Sequence, residues 1–308
     1  MHEVLEERYE ILEEIFGNTY YNRGNGEVLA FCPKHTHRKR KLSINVRKNA
    51  FRCWTCGYGG QKIFTLLWDN ANKNQRKRYL KTLGIELKQT EQIKRVELPE
   101  EYVFSMKFKS PVAMMVEKHL YDEMGLDPEV VLQNKIGYCE SGFYAGRALF
   151  PSFDTKGDLN YYITRRVDGG DYKKYLDCAA EKYPIIYNEI FVDWSKPVIV
   201  VEAVKAHLKH FRVPNVIPIM GTYMTEEHKL FEEIVIRNCP VVFIALDKEA
   251  KRKSMDIMKK LSSYNVDVRL TPLERQPDQI STGEFLDRLM ESKKFDKDDM
   301  LRERLLAL

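Results

Sequence analysis

Cys32-Pro-Lys-His35, then seventeen residues, then Cys53-Trp-Thr-Cys56-Gly57 offers four metal-binding side chains in two close pairs. A two-residue gap lets both members of a pair grip one ion from a tight knuckle, and tetrahedral zinc takes four such soft or borderline donors. The spacing therefore predicts a structural zinc ribbon with Cys32, His35, Cys53 and Cys56 as ligands. His37 breaks the two-residue spacing and reads as a solvated loop histidine.

Charge is concentrated around this ribbon. Residues 22 to 90 hold sixteen Lys and Arg against three acids, a balance of +13, so the rest of the chain carries −8 to give the net +5. The run Arg38-Lys39-Arg40-Lys41 lies in the loop between the ligand pairs, followed by Arg47, Lys48 and Arg52, with Phe51, Trp54 and Tyr58 interleaved. A charge run alone is often only a solvated surface. Carried on a rigid knuckle beside aromatic rings, it points to nucleic acid, because cations neutralise phosphates and ring faces stack on unpaired bases.

The 308 residues, 44% of them apolar, suffice for two or three domains. No run of eighteen apolar residues occurs, and glutamates crowd the first thirty residues, so neither a membrane span nor a secretion signal is expected. A soluble cytosolic protein follows. Three thiolate ligands plus single buried Cys139, Cys178 and Cys239 fit a reducing compartment.

Residues 3 to 16 have helical amphipathicity, ended by Gly17, and Gly59-Gly60 leads into an apolar helix containing Ile63, Phe64, Leu66, Leu67 and Trp68. A lysine-rich stretch from about Lys73 to Val96 closes the ribbon region, and Gln89 to Pro99 reads as linker. Residues 111 to 136 predict two short helices, split at Gly125 and restarted at Asp127-Pro128. Arg147 to Phe150 and Leu159 to Thr164 read as strands about a turn at Asp154 to Gly157. Beyond them Val198 to Val201, Val216 to Ile219, Val241 to Leu246 and Val266 to Leu270 are short apolar runs separated by helical stretches. That alternation predicts a parallel sheet covered on both faces. Glu202 directly follows the first of these strands, and Asp247 the third, with Glu249 two residues on. Ligands of such folds gather at the carboxyl ends of the strands, and carboxylates there make a hard oxygen site for magnesium or manganese. Asp247 could instead simply cap the helix that follows it.

Taken in order, these segments resemble one family over nearly the whole chain. Cys32 to His35 with Phe51-Arg-Cys-Trp-Thr-Cys-Gly-Tyr-Gly-Gly60 looks like the zinc ribbon of DnaG-type primases, which make short RNA primers for DNA replication. Ile136-Gly137, Gly146 to Pro151, Arg165-Arg166, Lys174-Tyr175-Leu176 and Tyr187-Asn188 resemble the basic half of that family's polymerase core. Val198 to Glu202 and Ala245 to Ala250 resemble its Toprim acidic motifs. The fold implied is α/β: an N-terminal zinc ribbon, a mixed α+β subdomain and a Toprim parallel α/β sheet. The implied domains are a template-binding ribbon at 1–88, a linker at 89–110, the basic half of the core at 111–193, a Toprim metal-binding domain at 194–281 and a helical tail at 282–308.

The resemblance also implies a chemistry. The ribbon would read single-stranded DNA template through Arg38, Lys39, Arg40, Lys41 and Trp54. Arg147, Arg165, Arg166, Lys173 and Lys174 would hold template and incoming ribonucleoside triphosphate, bidentate guanidinium contacts being suited to phosphate oxygens. Glu202, Asp247 and Glu249 would be catalytic, binding Mg2+ or Mn2+ together with Asp278, and Glu202 would double as general base. About thirty residues follow Asp278, too few for a helicase domain, so a separate replicative helicase and a compact, phage-like form are expected. The tail could dock that helicase or cover the sheet.

Departures from the family pattern bear on activity. The first acidic motif reads Glu202-Ala-Val-Lys-Ala206, lacking its glycine and second acid, and the second reads Asp247-Lys-Glu249. The late acidic signature survives only as Arg275-Gln276-Pro277-Asp278. Slow or manganese-dependent catalysis is the expected result. The competing readings are a RecR-like recombination mediator, which joins zinc to a Toprim fold without synthesis, and a Toprim nuclease or topoisomerase fragment. Neither shares the Gly146 to Pro151 and Lys174 to Leu176 segments in this order.

Overall fold

In the computed structural model the residues described are 2–60, 62–83, 96–104, 110–170, 173–221 and 224–295. Most of the expected linker at 89–110 and the end of the tail lie outside them. No helix among the described residues is long and apolar enough to cross a membrane.

The chain divides into two compact units. The first comprises Met1–Glu86 with Glu232–Asn238 and Lys260–Val266. Its frame is an antiparallel meander of β1 (Tyr20–Asn22), β2 (Glu27–Ala30), β3 (Leu42–Asn45), β4 (Ala50–Cys53) and β5 (Gly59–Gly60). Alternate residues of β2 and β3 are buried, as a sheet with one covered face requires. Helices α1 (His2–Phe16), α2 (Ile63–Asn70) and α3 (Lys73–Thr82) supply that cover, with Ile11, Leu12, Ile63, Phe64, Leu66 and Leu67 almost wholly buried. Asn72 starts α3 through a capping box with Gln75. Gly59 lies so near β4 that a Cβ there would meet the Phe51 carbonyl at 2.8 Å, which explains the glycine pair.

The second unit holds two sheets. One is an antiparallel meander of β6 (Tyr102–Val103), β7 (Gly137–Cys139), β8 (Arg147–Phe153), β9 (Leu159–Arg166) and β10 (Tyr175–Asp177). The two predicted helices are α4 (Pro111–Lys118) and α5 (Pro128–Gln133). Asp127 caps α5 by accepting from the Glu129 amide at 2.9 Å, and Gly125 takes a φ of +61° at the break. Between them α4 runs into one π-helical turn, His119–Glu123.

The other sheet has the order β12 (Val216–Pro218), β11 (Val198–Val201), β13 (Val242–Ile244), β14 (Val268–Leu270), β15 (Lys293–Lys294). The first four strands are parallel, joined through α6 (Val204–Lys209), α7 (Lys229–Arg237) and α8 (Lys251–Ser263); β15 returns antiparallel to β14. The predicted α/β alternation is thus present. The tail begins as α9 (Thr282–Met290), whose Phe285 and Leu289 are buried with Ile199 and Val201. This segment covers the sheet. The edge strand β15 was not foreseen, because two lysines carry no apolar alternation. Cys139, Cys178 and Cys239 are all buried, as expected.

Candidate functional site

The knuckles bring Cys32, His35, Cys53 and Cys56 together, with their four ligand atoms all within 4.8 Å of one another. Cys32 Sγ and Cys56 Sγ stand 3.8 Å apart. Zinc–sulfur bonds of about 2.3 Å at tetrahedral angles give an edge of roughly that length, so the donor set fits zinc. Gly57, at a φ of +74°, closes the second knuckle by donating its amide to the Cys53 carbonyl at 3.1 Å. Burial raises the Cys32 thiol to about 11, aided by its cysteine neighbours. Burial also raises Cys53, but the Cys56 amide, the His35 ring and the Thr55 amide outweigh it and bring that thiol to about 6. A thiolate stabilised in this way is ready for a cation. His37 is exposed, as read from sequence, and its Nδ1 accepts from the Lys39 amide.

Of the three aromatic residues near the knuckles only Trp54 stands out, 66% exposed with the Arg52 guanidinium 5.6 Å from its ring. The expectation that these rings offer stacking faces is corrected for Phe51, which is buried and packs edge-on against half-buried Tyr58. Arg38 and Lys39 are exposed. Arg40 is tied back, donating to the Asn18 carbonyl at 2.7 Å and lying over Phe31, and Lys41 is half-buried.

In the second unit, β11 lies between β12 and β13, so the chain leaves its end in one direction and returns on the other side. That is the topological switch point at which open α/β sheets bind ligands. Val200 pairs with Ile244, which sets Glu202 and Asp247 just past the ends of adjacent strands. Burial pushes the Asp247 carboxyl up to about 6, with the facing charges of Glu202, Asp278 and Glu249 adding to the rise and Lys253 opposing it. Asp247 makes no capping bond to the turn that follows, so the helix-cap reading fails. The charges of Glu202, Glu249 and Asp278 all act on Asp247, and carboxylate oxygens are the donor type that Mg2+ and Mn2+ take.

Two lysines stand among them. Lys253 Nζ donates to Glu202 Oε1 at 2.7 Å, and Lys205 Nζ reaches Asp278 Oδ2 at 2.8 Å. Among the described residues only the four sulfur and imidazole ligands bring three or more donor atoms within 4.8 Å, so the carboxylates stand farther apart than those ligands do. The turn bearing Asp278 is held by buried His210. Its Nε2–H donates to the Pro277 carbonyl at 2.7 Å, Nδ1 accepts from the Thr282 hydroxyl at 3.2 Å, and the ring stacks on Phe285 at 4.1 Å.

Beside Glu202 opens a cleft of about 300 Å3, lined by Phe150, Tyr161, Ile163, Arg165 and Lys205 among others. The predicted basic residues divide around it. Arg165 lines it, lying over Tyr175 and donating to its hydroxyl. Arg166 is paired with Asp168, while Lys173 and Lys174 are exposed. Arg147 does not belong with them. It is 1% exposed, and its guanidinium donates to the backbone carbonyls of Lys173 at 2.7 Å and Lys174 at 3.3 Å. Strand β8 is covered on both faces, so a cation at its start goes to the nearest carbonyls rather than to a ligand.

Lys253, Lys205 and His210 were not read from the sequence as site residues. Lysines 248, 251 and 253 look alike there, and only the single 3-10 turn Lys248–Ala250 preceding α8 settles which one faces Glu202.

Residues 1–95 match the model of the DnaG zinc-ribbon family, described as the CHC2 zinc finger. No curated protein matches the chain by sequence. Among solved structures it is similar to the zinc-binding and RNA polymerase domains of the Aquifex aeolicus primase, with a TM-score of 0.52 and 17% identity, over 99% of this chain and 89% of that one. It is also similar to a DnaG primase catalytic domain bound to single-stranded DNA, with a TM-score of 0.53 and 17% identity over 62% of this chain and 75% of that one. A DNA primase domain from Pseudomonas aeruginosa gives 0.52 and 18% over 62% and 76%. The chain therefore carries a DnaG-type zinc ribbon, and the rest shares the fold of DnaG primase polymerase domains.

Proposed function

We propose that this protein is a DNA primase, a DNA-directed RNA polymerase that joins ribonucleotides on single-stranded DNA by metal-dependent nucleotidyl transfer. The observation that carries the reading is the meeting of Glu202 and Asp247 at the switch point of the parallel sheet, beside a cleft lined by Arg165 and Lys205. Residues 1–88 would bind template, 111–193 would supply the basic surface and 194–281, as a Toprim domain, the metal centre, with 282–308 as tail. Glu202, Asp247 and Glu249 would hold the divalent ion, which supplies charge neutralisation at a transferring phosphoryl group. Glu202, freed from Lys253, would accept the proton of the attacking hydroxyl. Arg165, with exposed Lys173 and Lys174, would neutralise the triphosphate and the template backbone. A helicase partner and a cytoplasmic setting belong to the same reading.

The mediator alternative lacks comparable support, since the antiparallel meander that contributes Arg165 has its counterpart in polymerase domains that are similar in fold. The test combines purified protein, mixed-sequence single-stranded DNA, four labelled ribonucleotides and manganese or magnesium. Short RNA products are expected, faster with manganese, and Glu202→Gln should remove them while leaving DNA binding in place. Tight binding without products under either metal sinks the proposal in favour of a mediator.

A further inference from the structure

The two lysines at the acidic rim bear on how many ions it can take. Lys205 is 27% exposed and Lys253 13%, although long cationic side chains usually extend to water. Each is held inward by a carboxylate at less than 3 Å. Helix α6 itself contributes no carboxylate, since positions 203 to 206 read Ala-Val-Lys-Ala. Asp278, in turn, has little freedom to swing elsewhere, because His210 pins the carbonyl of the residue before it. Counted together, Glu202, Asp247, Glu249 and Asp278 bring four negative charges, and Lys205 and Lys253 bring two positive ones. One divalent ion balances the remainder, whereas a second would leave a partly buried rim with excess positive charge.

We propose that the rim holds a single divalent cation, with the Lys205 ammonium on Asp278, whose turn His210 holds in place, standing where a second ion would otherwise be bound. The inference rests on the reading of this rim as a metal centre. Asp278 then gives no oxygen to metal in the native chain, contrary to its expected role, and Lys205 is a positioning residue that fixes charge and geometry. An ammonium supplies a fixed positive charge but no open coordination position, so it can neutralise an oxyanion without binding water or a nucleophile as a metal would.

Titration of the zinc-loaded full chain with Mn2+, read from the electron paramagnetic resonance signal of the free ion, tests this without any turnover. One Mn2+ per chain is expected for the native protein. Lys205→Ala should release Asp278 and raise the number to two, Lys205→Arg should keep it at one, and Lys205→Ala combined with Asp278→Ala should return it to one. If the alanine variant folds poorly by circular dichroism, Lys205→Gln keeps most of the side-chain volume and should behave in the same way. Two ions on the native chain, or one ion on well-folded Lys205→Ala and Lys205→Gln, overturn the proposal and leave the primase reading standing. No bound Mn2+ on the native chain overturns both.

Discussion

Asp247→Asn is expected to stabilise the metal-free protein while removing a ligand of the proposed metal site. Its carboxyl titrates at about 6 against an ordinary 3.8, because burial and three facing acids disfavour the charged form. Each pH unit of that difference is worth about 1.4 kcal/mol, which sets a ceiling near 3 kcal/mol at neutral pH. Asp247 is only half-buried, so screening by water reduces the expected gain to about 1–2 kcal/mol. The sign follows from the raised value. Below 3.8 both the folded and unfolded chains carry the proton and the aspartate costs nothing. Between 3.8 and 6 the unfolded chain ionises while the folded chain keeps its proton, so stability is lost across that window and the loss is complete once pH has passed 6. The asparagine variant should therefore gain most above pH 6, with the gain shrinking to nothing near 3.8. Hydrogen exchange of peptides spanning Val198–Val201 and Val242–Ile244 across a urea series, without added divalent ion, reads this locally. A variant no more stable than the native chain at pH 7, or one whose gain persists unchanged at pH 4, would refute the reasoning.

Other consequences concern the ribbon and the basic residues. Trp54→Ala should weaken single-stranded DNA binding by about 1–3 kcal/mol per stacked base, roughly 5- to 150-fold in fluorescence anisotropy, with zinc content unchanged. Cys53→Ser should lose the zinc and make residues 27–60 sensitive to protease, while the parallel strands keep their exchange protection. Arg147→Ala should lower stability by about 2–4 kcal/mol in urea unfolding, because it strips a charged donor from two backbone carbonyls. Arg165→Ala should leave that transition in place and weaken nucleotide binding instead, so equal behaviour of the two arginines would count against their separation.

The sequence was most informative where the determining interactions are local. Paired ligand spacing fixed the zinc residues, and the residue directly after an apolar parallel strand is near the rim by construction, which located Glu202 and Asp247. Failures came where an answer depends on what covers a strand or on helix phase. Arg147 and Arg165 look equivalent in the chain, yet one begins a strand covered on both faces and the other lines an open cleft. Phe51 has the same aromatic character as Trp54 but belongs to the buried alternation of β4. Lys205 could be noticed as an intruder beside a missing acid, but its partner Asp278 is distant in sequence and is brought near by the packing of α6 against a single 3-10 turn.

Among the described residues, strand β15 gives the parallel sheet an outer margin made of Lys293 and Lys294, both solvent-facing, with Lys294 also paired to Asp267. A margin of this kind presents ammonium groups to any approaching strand, and two such margins repel each other. Lateral growth by edge-to-edge annealing of copies is thereby discouraged at that side, which would matter if, on the proposed reading, the exposed cations gather copies on a nucleic-acid strand.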